Sequence, residues 1–188
     1  MAENRSPGAS ALWGVALGGA GALLLLVGLL ARRQVETLPD PWDPLRLGVY
    51  ALLVVGPAAL FWATTQALRL GLFWLFGTIT WAVLGYLLIF VPPSASGSTA
   101  VSIAGFLVLL FGALVAGLTP PLYALGWVLF TGRLRRHDLR RAVRQAGLLA
   151  LYVVACLSMV LFSVFNGLNA LLLFVVLALA EFFFLSRA

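Results

Sequence analysis

Few residues in this chain are equipped for chemistry, and most of them lie between positions 132 and 181. Residues 132–145 read Gly-Arg-Leu-Arg-Arg-His-Asp-Leu-Arg-Arg-Ala-Val-Arg-Gln, with six arginines against one acid. Glu181 is the one ionisable residue set well inside an apolar run, Cys156 is the only cysteine and His137 the only histidine. A single histidine in a charged loop cannot supply both axial ligands of a transmembrane haem. A single cysteine cannot form an intramolecular disulfide, a CxxC redox centre or a thiolate metal cage, so Cys156 reads as a small buried hydrophobe. HExxH, paired carboxylates for a metal, a Ser/His pair at membrane depth and a Walker-type phosphate loop are all missing from the sequence. No nucleophile, base or metal set can be assembled, so the expectation is a protein that is not an enzyme and holds no cofactor or metal.

The arginines are suited to anions. If residues 132–145 form a helix, Arg133, Arg136, Arg140 and Arg144 follow i, i+3, i+7, i+11 spacing and make a polar stripe, while Leu134, Leu139 and Val143 turn toward a membrane. Arg135 and Arg141 add to the charge. At about 1 kcal/mol per basic residue near an anionic leaflet, the six arginines Arg133, Arg135, Arg136, Arg140, Arg141 and Arg144 together far exceed thermal energy. They therefore read as topology determinants that also contact anionic lipid headgroups or an acidic partner; a nucleic-acid partner is not expected. His137 reads as an ordinary member of that solvated basic segment.

Positioning these groups falls to apolar segments. Hydrophobic residues make up 63% of the 188-residue chain, charged residues 10%, and the mean hydropathy is +1.08. A water-soluble domain keeps a polar exterior, which this composition cannot provide. All twelve basic residues are arginine, with six acids, giving a formal net charge of +6. The expected fold is all-α: a polytopic membrane protein with six transmembrane helices over about 11–31, 47–68, 70–91, 101–131, 146–165 and 168–185, preceded by a polar leader, 1–10. The apolar stretch from Ala11 to Leu30 is longer than a signal-peptide core and lacks a small-x-small cleavage pattern, so it reads as a retained first span. Within it, Gly14, Gly18, Gly19 and Gly21 offer a small-residue face for helix packing, with self-association as the alternative.

Prolines punctuate the pattern. Pro39, Pro41 and Pro44 forbid a continuous helix through the loop 32–46, where Trp42 suits the headgroup level. Pro57 is expected to kink the second span, and Thr119-Pro120-Pro121 to break the long run 101–131, which as one helix would reach roughly 46 Å. Pro92-Pro93 opens an uncharged link, and Asn166-Gly167 reads as a tight turn that makes the last two spans a helical hairpin.

Six crossings with both termini in the cytoplasm place nine arginines inside, against Arg32, Arg33 and Arg46 outside, as the positive-inside rule favours for the cell membrane. A rival topology, with 101–131 as a re-entrant hairpin, satisfies the charge count equally. Six crossings are preferred because irregular backbone at membrane depth needs protein or water around it. Segments 11–91 and 101–185 also share an order of span, arginine-bearing loop, span, short turn and span. Gly48, Ala51, Leu52, Val54 and Val55 match Gly147, Ala150, Leu151, Val153 and Val154 at constant spacing. That is the form of a 3+3 inverted repeat, although residues as common as these match readily by chance.

In the hairpin, antiparallel register sets Glu181 across from Tyr152, with Gln145 and Arg144 one to two turns nearer the surface. Arg144 reaching inward and Glu181 outward would satisfy both charges. Thr64, Thr65, Gln66, Thr78 and Thr80 fall at a similar depth and suggest either a polar recess or hydrogen bonds to their own helices. The expected role is thus a small multi-pass subunit, scaffold or assembly factor of a membrane complex, in contact with other membrane subunits or with its own copies. The alternative is a small transporter or channel with Glu181 as the coupling or substrate-binding group.

Overall fold

In a computed structural model, residues 9–31, 43–90, 100–129 and 138–186 are described, and all of the regular structure in them is helical. The six helices are α1 (Ala9–Ala31), α2 (Pro44–Leu68), α3 (Phe73–Phe90), α4 (Ala100–Leu129), α5 (Leu139–Leu161) and α6 (Gly167–Ser186). Five of them, α2 to α6, are long and apolar enough to cross a membrane, while the shorter stretch Leu12–Leu25 represents α1. The leader up to residue 8, Arg32, Arg33, Trp42, the link 91–99, residues 130–137 and Arg187 lie outside the described residues.

The helix ends differ from the expected spans for identifiable local reasons. Helix α2 starts at Pro44 rather than Leu47, because Asp43 Oδ1 accepts the Leu45 N–H at 2.8 Å and Pro44 occupies a first-turn position that needs no donor. It runs on through Pro57, which is buried. Helix α3 starts at Phe73 rather than Leu70. Arg69 adopts a left-handed conformation (φ 57°), the Leu70 N–H is donated to the Thr65 carbonyl at 2.9 Å, and Gly71 also has positive φ, so four residues make the turn.

The expected break at Thr119-Pro120-Pro121 does not interrupt α4, which is helical through both prolines. Thr119 is fully buried and its hydroxyl donates to the Val115 carbonyl at 2.7 Å. Helix α5 begins seven residues before the expected Ala146, since Asp138 caps it: its carboxylate accepts the Arg141 N–H at 3.2 Å and its carbonyl the Ala142 N–H at 3.3 Å. The same helix stops at Leu161 instead of Phe165. Residues 162–166 form the connection, with Ser163 at φ 58° and the Val164 N–H donated to the Met159 carbonyl. The two-residue Asn166-Gly167 turn is therefore replaced by a five-residue one, in which Asn166 Oδ1 accepts the Leu168 N–H.

The chain divides into two compact units, Met1–Ser102 and Ile103–Ala188. In the first, α1 packs on α2 and α2 on α3. Gly19 sits against the α2 backbone, Gly77 beneath the Phe61 ring and Gly85 beside Leu53. Val49, Leu53 and Ile89 form a buried cluster, flanked by a group of aromatic rings with Tyr50 5.2 Å and Tyr86 5.1 Å from Phe90. Of the four glycines expected to form a packing face on α1, Gly19 alone makes the close approach; Gly14, Gly18 and Gly21 have open space where a Cβ would be.

In the second unit, Val115 of α4 packs with Ala146 and Ala150 of α5. Ala142, Ala146 and Ala150 are fully buried and four residues apart, so small side chains line one face of α5 and admit a close neighbour. Helix α6 is different: none of its residues from 167 to 184 is buried, and Leu179 and Phe182 are mostly exposed.

Candidate functional site

Thr64, Thr65, Thr78 and Thr80 of the first unit serve their own helices, and Gln66 is exposed. Thr64 and Thr65 donate to carbonyls of Leu60 and Phe61, Thr78 to Trp74 and Thr80 to Phe76, all at 2.7–2.9 Å. Such back-bonding satisfies a hydroxyl without opening a recess. Replacing Thr65 and Thr80 by valine is accordingly expected to change stability by no more than about 0.6 kcal/mol each in detergent unfolding, and a larger loss would mean that the hydroxyls bond across helices.

The second unit carries the charged cluster. Starting α5 at Asp138 puts Arg140, Arg141, Arg144 and Gln145 in its first two turns, and helical spacing brings Arg141, Gln145, Leu148 and Tyr152 to one side. Arg144 Nε donates to Glu181 Oε2 at 3.0 Å, and Arg144 Nη2 to Glu181 Oε1 at 3.1 Å. Gln145 Nε2 donates to the same Oε1 at 3.2 Å. The two-pronged pair matches a planar guanidinium to a carboxylate. Its side chains are only 31% and 18% exposed, and the Arg144 guanidinium lies 5.4 Å over the Phe184 ring.

This pairing joins α5 to α6 and brings Arg144 to Glu181 as expected, but it sets Glu181 across from Arg144 and Gln145 and not across from Tyr152. Tyr152 meets α6 about two turns away from that pair, its ring edge-on to Phe174 at 5.9 Å. Arg133, Arg135 and Arg136 fall outside the described residues. The remaining three arginines do not form one outward stripe: Arg140 is exposed, Arg144 is turned to Glu181, and Arg141 is buried with 9% exposure.

Arg141 owes its place to Gly126 of α4, where a Cβ would overlap the guanidinium Nη2. Between α4, α5 and α6 lies a cavity of about 360 Å³, walled by Arg141, Gln145 and Glu181 at its polar end and otherwise by leucines, Tyr152 and Phe174. That volume is within the range of about 300–1,000 Å³ usual for small-molecule sites. Neither Gly126 nor the burial of Arg141 was apparent in the sequence. The i, i+4, i+8 alanines 142, 146 and 150 were a signal that α5 meets a close neighbour, and Arg141 directly precedes that face.

Among the described residues no three His, Cys, Asp or Glu side chains gather as a metal site. The site holds an Arg144–Glu181 ion pair and a buried arginine, Arg141, against a mostly apolar cavity. No family model, curated protein or solved structure matches this chain.

Proposed function

We propose that this chain is an integral protein of the cell membrane that crosses it six times, bends at Pro57 and Pro120-Pro121, and acts without enzymatic chemistry as a small subunit, scaffold or assembly factor. The observation that carries this reading is helix α6, which has no buried residue from 167 to 184 and contains a single charge, Glu181, already matched by Arg144. Such a helix needs lipid or another apolar subunit around it. An Arg144–Glu181 pair held within a hairpin supports a structural role: it lets one charge be carried on an apolar helix by bringing its counter-charge along.

In this reading both termini are cytoplasmic and the arginines of residues 133–144 meet the anionic inner leaflet or an acidic partner. Fractionation and flux measurements test it. The protein should stay with membranes through alkaline extraction and co-purify with other chains in mild detergent; release as a soluble protein would end the membrane reading. In sealed liposomes it should move no solute, and Glu181→Gln should remain folded and associated. Solute flux that disappears in Glu181→Gln would instead establish the transporter alternative.

A further inference from the structure

We infer that the cavity among α4, α5 and α6 is a binding site for one acyl chain of an anionic phospholipid, with the lipid phosphate held at Arg141. The inference rests on the membrane reading above and adds to it a defined site. Two observations carry it. The cavity is walled mostly by apolar side chains, and its charged and amide groups, Arg141, Gln145 and Glu181, come from the part of the hairpin where Gln145 bonds Glu181, the pattern an amphiphile needs. Arg141, which forms part of that end, is nine-tenths buried, so its position is set by packing against Gly126 and not by solvent.

Charge selects the headgroup. Glu181 is the acid on the cavity wall, and its two oxygens accept from Arg144 and Gln145, so its charge is matched within the hairpin. Arg141 and Arg144 against Glu181 give the charged side chains there one net positive charge, which favours a phosphodiester without a compensating amine. Leu122, Leu148, Leu149 and Phe174 supply the walls for the chain.

The test uses the full chain purified in mild detergent and doped with phosphatidylglycerol or phosphatidylcholine, read by native mass spectrometry. Wild-type protein should retain one phosphatidylglycerol in preference to phosphatidylcholine. Arg141→Gln should lower that retention about tenfold, as expected for loss of a charged hydrogen-bond donor, and Leu148→Trp should lower it similarly by filling the slot. Arg140→Gln, one residue away but exposed, should change it less than about twofold. Equal losses in Arg140→Gln and Arg141→Gln, or unchanged retention in Leu148→Trp, would overturn the site while leaving the membrane reading intact.

Should Arg141→Gln or Leu148→Trp fail to fold, wild-type protein decides the matter. A phosphatidylglycerol with a photoactivatable acyl chain should label residues 122–126, 148–152 and 174–178, and labels spread evenly over both units would refute the site. A chain that does not enter phosphatidylglycerol-containing vesicles at all would refute the membrane reading itself.

Discussion

Gly19→Val is expected to loosen α1 from α2 and to lower stability by about 2 kcal/mol, whereas Gly18→Val, one residue earlier, should be almost without effect. A Cβ at Gly19 would lie 2.7 Å from the Leu60 nitrogen and 2.9 Å from the Gly56 carbonyl oxygen. Both are backbone atoms of a neighbouring helix, so the contact cannot be relieved by a rotamer change and the helices must separate. At Gly18 nothing stands within 4 Å. In the proposed membrane setting, where burial from water cannot drive apolar helices together, the lost close packing would not be recovered elsewhere. Unfolding in mixed micelles checks both variants; equal stability of the two would mean that α1 is not seated on α2 through Gly19.

The second large effect concerns Arg144 and Glu181. Removing one partner, as in Glu181→Ala, leaves a partly buried guanidinium without its carboxylate and should cost about 1–3 kcal/mol, less than a fully buried pair because Arg144 keeps 31% exposure. Removing both, as in Arg144→Met with Glu181→Leu, should recover most of that loss, since two apolar side chains need no partner. The same unfolding assay measures the cycle, completed by the single variants Arg144→Met and Glu181→Leu. Additive losses would show that the two side chains do not depend on one another and that the hairpin is held by packing alone.

These predictions differ in how far they were legible beforehand. The partnership of Glu181 with Arg144 and Gln145 followed from sequence because a charge in an apolar helix must be answered locally, and a short connection leaves few candidates at the right depth. Helix ends were less legible: Asp43 and Asp138 are ordinary N-caps, but each lies in a segment whose prolines or arginines resembled loop. Pro120 and Pro121 end no helix, in keeping with a single crossing through 101–131. In a long apolar helix the alternatives for the freed carbonyls are few, and α4 continues through both.

Contact faces were not legible at all. In a soluble helix, apolar periodicity marks the buried side. Here α1 and α6 are apolar nearly all round, so the letters contain no period to choose among Gly14, Gly18, Gly19 and Gly21. By itself the sequence determined a helical protein with apolar segments of membrane-crossing length, its charges confined to the breaks and to Glu181, because length, composition and the need to match a charge are local properties. Which glycine admits a neighbouring backbone, which arginine is enclosed and where a cavity remains were decided by the tertiary structure, because each depends on the rotation of one uniformly apolar helix against another.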